Sequence, residues 1–150
     1  MNLSRTSGDK ENKPKKVPLV IEGAAPALGQ ASQAIKYGEV VYISGQLPID
    51  PATNRLAGDD ITVQTETCIK SLTTICNFIG GALSNIYKVT VYVIAMEDLP
   101  AMEKVYREHF SFQPPVRTIV CVSRLPMNAR IQIDAIIHPP VRETTMGAAF

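Results

Sequence analysis

Charge is scarce in this chain. Only 19% of its 150 residues are Asp, Glu, Lys or Arg, against roughly 25% in an average soluble domain. A surface with too few charged groups is a hint that part of it is covered by a partner. The net charge is +1, which argues against a general nucleic-acid or membrane-surface binder, since both need a basic excess. No apolar run approaches the roughly 18 residues of a membrane span. No apolar segment follows the basic N-terminus as a secretory leader requires, and Asp9 and Glu11 interrupt that terminus against a transit peptide. Cysteines are three, Cys68, Cys76 and Cys121. An odd number without a C-x-x-C pair suggests neither a disulfide framework nor a zinc site, and a reducing, cytoplasmic setting follows. The Gly-rich phosphate and dinucleotide loops, H-E-x-x-H and G-x-S-x-G are all missing.

What is present is one globular unit between two polar ends. Residues 1–17 carry Arg5, Lys10, Lys13, Lys15 and Lys16 without periodicity and read as a basic tail, and 140–150 read as a second tail after Pro139-Pro140. Within 18–139, Val40–Ser44 is a β-rich run, Leu47–Gly58 a loop, and Asp60 or Thr62 a helix cap. Ile69, Leu72, Ile75, Cys76 and Ile79 recur at helical spacing, and Gly80-Gly81 ends that helix. Ile86–Ala95 alternates as a strand. Leu99, Met102, Val105, Tyr106 and Phe110 mark a second helix, Thr118–Ser123 a third strand and Arg130–His138 a fourth. Two helices of this length cover one face of a sheet. The other face keeps apolar members such as Ile136, so it is expected to pack on another subunit.

Few residues carry chemistry. His109 and His138 lack a spaced partner and read as structural or surface residues; Cys68, Cys76 and Cys121 read as small core residues, and Met96 and Met102 as packing. Arg117 opens an apolar strand. Its planar fork suits bidentate capture of a carboxylate, or a structural salt bridge to Asp134 or Glu103. The stripe of Gln132 and Asp134 on the last strand is either a water-positioning pair near that arginine or a solvent-facing edge.

Several segments together are specific. Gly29-Gln30-Ala31-Ser32-Gln33-Ala34, Ser44-Gly45-Gln46-Leu47-Pro48, Pro115-Val116-Arg117-Thr118, Leu125-Pro126 and Ile131–Ile136 resemble the Rid family, also called YjgF or L-PSP, from about Ala25 to His138. The resemblance implies an α+β, chorismate-mutase-like sheet with two helices on one face, assembling as a trimeric barrel with sites between subunits. It implies metal-free, cofactor-free hydrolysis of reactive enamines and imines of small carboxylate-bearing substrates to 2-keto acids and ammonia. It places Gln132, Ser44 and Gly45 at catalytic positions and Arg117, Ala31, Ile119 and Glu103 at substrate-binding ones. This sequence departs from the family pattern at four of these. Ala31 stands for a tyrosine, Gln132 for a water-positioning glutamate, Ile119 for a cysteine and Glu103 for an asparagine. The loop between Tyr106 and Arg117 is about three residues shorter. Glutamine can hold a water but is a very poor base. Altered deamination, a larger substrate in a specialised biosynthetic pathway, and a non-catalytic carboxylate-binding trimer all follow as readings.

Overall fold

A computed structural model describes residues 13–140. The expectations for 1–12 and 141–150 lie outside the described residues. The described residues form eight strands and two α-helices: β1 (Lys16–Leu19), β2 (Ala34–Tyr37), β3 (Val40–Gln46), β4 (Ile49–Asp50), β5 (Arg55–Leu56), α1 (Ile61–Phe78), β6 (Ile86–Val93), α2 (Leu99–His109), β7 (Val116–Cys121) and β8 (Ile131–Ile137). Six strands form one mixed sheet in the order β1-β2-β3-β8-β6-β7, and β4 pairs with β5 in a two-residue ladder. Among the described strands only β6 and β7 run parallel. A parallel pair needs a long crossover, and α2 supplies it.

Helix α1 begins where Asp60 accepts a hydrogen bond from the Thr62 N–H at 2.6 Å. It ends at Gly80, whose φ of 79° permits the left-handed turn. There the Gly80 N–H bonds to Asn77 O and the Gly81 N–H to Cys76 O, the paired closure of a glycine-terminated helix. Its buried face (Cys68, Ile69, Leu72, Ile75, Cys76) packs on Val89, Val91 and Val93 of β6 and Ile131, Ile133 and Ile137 of β8. These strands alternate because side chains two apart share a sheet face. Both helices lie on that face, and α1 meets β8 and α2 directly.

The structure departs from the sequence reading at named places. β1 starts at Lys16, inside the stretch read as tail, and β1 and β2 were not foreseen. Both are four-residue segments of polar and mixed character that take their shape from pairing with β3 and with each other. The expected loop 47–58 contains the β4–β5 ladder. β7 begins at Val116, so Arg117 is the second residue of the strand rather than a residue at its mouth. Cys121 is exposed, not core. It ends the edge strand, where alternation cannot bury a side chain that has a neighbour on one side only. Met96 is exposed in the turn before α2, and Met102 alone is buried. His109 does have a partner: its Nε2 lies 2.8 Å from Glu66 of α1, which ties the two helices. His138 meets the Tyr87 ring edge-on at 4.9 Å.

Candidate functional site

Register decides which residues can meet. Arg117 pairs with Val89 and Ile119 with Val91, so both point to the helix-covered face of the sheet. Gln132 pairs with Tyr92 and Asp134 with Thr90, on the opposite, open face. The expected site residues therefore fall into two groups on two faces.

The first group surrounds Arg117. Its Nη1 donates to Glu103 Oε2 at 2.7 Å, with 23% and 30% of the two side chains exposed. Of the two partners anticipated for it, the structure selects Glu103. Asp134 is on the other face, and its described contact is the Tyr92 hydroxyl at 3.4 Å. The guanidinium lies 4.5 Å over the Tyr106 ring, a favourable cation–π geometry. Tyr106 in turn stacks on Phe110 at 4.4 Å. Helical spacing places Glu103, Tyr106 and Phe110 along one side of α2, above the edge strand. Together with Arg107, Pro114, Pro115 and Arg117 they line a pocket of about 400 Å³. Burial by itself would raise the Glu103 carboxyl. The hydrogen bonds and charges of Arg117 and Arg107 outweigh it and hold the group below its ordinary value, so it is ionised at neutral pH. Burial pushes the Tyr106 phenol up to about 12, so it keeps its proton. Its buried hydroxyl has no hydrogen-bond partner among the described residues. Ile119, two residues past Arg117, packs against the core and offers no polar atom.

The second group joins β3 to β8. Gly45 has no room for a side chain. A Cβ built there would lie 2.7 Å from Gln132 Cδ, closer still to the amide nitrogen. Glycine thus lets the Gln132 amide rest directly on the β3 backbone, where the β3–β8 register slips between Ile43 and Gln46. Ser44 is not free. Its hydroxyl and its N–H both donate to Gln33 O at 3.0 Å. Ala31 is exposed and lines a separate groove of about 770 Å³ beside Ser32 and Gln33.

Sequence reasoning missed why two glutamines accompany these residues. Gln33 accepts from Ile21 N–H at 2.7 Å and donates to Ala25 O at 2.9 Å, pinning the loop that carries Ala31. Gln46 accepts from the Ser71 hydroxyl at 2.6 Å, and that hydroxyl accepts from Ala25 N–H at 2.9 Å. Both glutamines are buried, and buried amides must find partners. They were visible in the motifs as polar residues flanking apolar ones, without any sign of which backbone they would reach. Among the described residues no three His, Cys, Asp or Glu side chains gather as metal ligands, and no helix is long and apolar enough to cross a membrane.

Comparison with known proteins points one way. A family model described as endoribonuclease L-PSP matches residues 22–138. A RutC family protein of Pyrococcus horikoshii is 40% identical over 120 residues, covering 80% of this chain and 95% of that protein. A 2-iminobutanoate/2-iminopropanoate deaminase of Dermatophagoides farinae is 31% identical over 114 residues, covering 76% of this chain and 89% of the deaminase. The crystal structure of yeast Mmf1 superposes with a TM-score of 0.79 at 30% identity, covering 84% of this chain and all of that one. The six-stranded sheet with two helices is thus an arrangement shared with solved structures.

Proposed function

Because the chain belongs to the L-PSP family, also called Rid or YjgF, we propose that it hydrolyses small reactive 2-imino and 2-enamino acids to 2-keto acids and ammonia, in sites shared between subunits of a homotrimer. The observation that carries this reading is Arg117. It is a half-buried guanidinium at a pocket, stacked on Tyr106, with a fork that suits a carboxylate. The similarity to a named 2-iminobutanoate deaminase supports the reaction class.

The chemistry follows from what the residues can and cannot do. Arg117 holds the substrate carboxylate. A water held by the Gln132 amide adds its oxygen to C2 of the imine, the C2–N bond breaks, and ammonia leaves. Both protons of the water pass to that nitrogen, the first as the C2–O bond forms and the second as the resulting carbinolamine collapses to the ketone, so that it leaves as ammonia. Glutamine orients the water but does not take its proton. Loss of general-base help at this position costs about 10²–10⁴-fold in rate, so turnover is slow beside that of a chain with glutamate there. Arg117 and Gln132 face opposite sides of one sheet, on strands separated by β6. A substrate of a few atoms cannot touch both within one chain. Two copies, each presenting one half, bring them together. Cys68 and Cys76 are buried free thiols, in keeping with a reducing, cytoplasmic setting.

The test generates 2-iminobutanoate with a pyridoxal-phosphate dehydratase and traps it as the semicarbazone. The expected result is slower semicarbazone formation with this protein present, and no slowing with Arg117→Ala. An unchanged rate with the unmodified protein overturns hydrolysis. Retained binding of 2-oxobutanoate by calorimetry in that case selects the second reading, a non-catalytic carboxylate-binding trimer, which Gln132 favours.

A further inference from the structure

Glu103 is a carboxylate set inside a site read as a carboxylate receptor. It already occupies Arg117 at 2.7 Å, and its other oxygen lies 3.4 Å from Nε of Arg107. A ligand carboxylate on Arg117 must therefore displace Glu103 from Nη1 or share the guanidinium with it. A plain carboxylate does so at a cost, because it leaves Glu103 beside a second negative charge with only the outward Arg107, 79% exposed, to answer it. A ligand with a carboxylate and a protonated nitrogen on the adjacent carbon re-pairs both charges. Its carboxylate goes to Arg117 and its N–H to Glu103.

We propose that Glu103 reads the nitrogen of the ligand, so that the Arg117–Glu103 pair exchanges partners with 2-iminio and 2-ammonio acids and disfavours the 2-keto acids left after hydrolysis. The inference rests on the carboxylate-binding reading of Arg117 and deepens it. It gives the pocket a means of telling substrate from product, since hydrolysis removes the nitrogen that pairs with Glu103. Glu103 is then a specificity-determining residue, and Arg117 alone does not set what binds.

Calorimetric titration tests this with two stable probes of equal carbon skeleton, 2-aminobutanoate and 2-oxobutanoate, against the unmodified protein, Glu103→Gln, Glu103→Asn and Arg117→Ala. The unmodified protein is expected to bind the amino acid about tenfold more tightly, the scale of one charged hydrogen bond. Both Glu103 variants are expected to bring the two affinities within about threefold, through a gain for the keto acid and a loss for the amino acid, and Arg117→Ala to lose both probes. A merely structural Glu103 would not move that ratio. Equal affinities in the unmodified protein, or an unchanged preference in both Glu103 variants, overturn the role of Glu103 while leaving Arg117 as a carboxylate receptor. Binding of neither probe to the unmodified protein overturns both readings.

Discussion

Gly45 is required by proximity rather than by backbone strain. Its φ is ordinary, and the space a Cβ would need is taken by the Gln132 amide. That amide ends a flexible side chain, so Gly45→Ala should displace Gln132 without unfolding the protein. Thermal melting should change by only a few degrees, while imine hydrolysis falls at least tenfold. Unchanged hydrolysis would remove the Gly45–Gln132 contact from the site. Glu103 gives a second residue-scale prediction. Arg117 and Arg107 hold its carboxyl below the ordinary 4.5. A carboxyl whose pKa is lowered by folding adds stability above its unfolded pKa, and that contribution is lost as pH falls through the folded one. The stability gap between the unmodified protein and Glu103→Gln should therefore be constant above pH 5 and close below about pH 4.5. Urea titration across that range checks it, and a gap that widens toward acid would contradict the pairing.

At the scale of elements, the helices and the central strands were legible because their chemistry is local. The 3–4 spacing of Ile69, Leu72, Ile75 and Cys76, the Asp60 cap and the Gly80 stop all act within one turn or two. Truncating Leu72, fully buried between α1 and the sheet, to alanine should cost about 2–5 kcal/mol in urea unfolding. β1 and β2 were not legible, because four-residue strands carry too little pattern and owe their existence to a neighbour. Ion pairs distant in sequence were hidden for the same reason. Arg130, at the start of β8, donates to both oxygens of the buried Asp98 before α2, at 3.1 and 2.8 Å. Asp98→Ala should lower stability by about 1–3 kcal/mol. In the candidate pocket, Arg117 and Glu103 were legible from the motifs, whereas Tyr106 and Phe110 read only as a helix face and Arg107 gave no signal. The face each side chain takes was not legible, because it depends on pairing register. Arg117 and Gln132 lie in two separate motifs that the sequence reading set near one another, and they stand on opposite faces of the sheet.

The whole molecule has one sheet face under two helices and one open. Tyr42, Ile136, Thr90, Tyr92, Val116, Thr118 and Val120 lie on the open face, with Asp134 and Lys88 the charged side chains among them. The low charge content of the chain is concentrated here, which suits a face that meets other copies. The central claim is that one chain supplies Arg117 and another supplies Gln132. Mixed assemblies test it most directly. Arg117→Ala and Gln132→Ala chains, each inactive alone, are unfolded together in equal amounts and refolded, and 2-iminobutanoate hydrolysis is measured. In a ring of heterologous contacts, random mixing restores about one quarter of the interfaces to a complete pair, so about one quarter of the unmodified activity should return. Mixed assemblies that recover no activity would contradict a site shared between subunits.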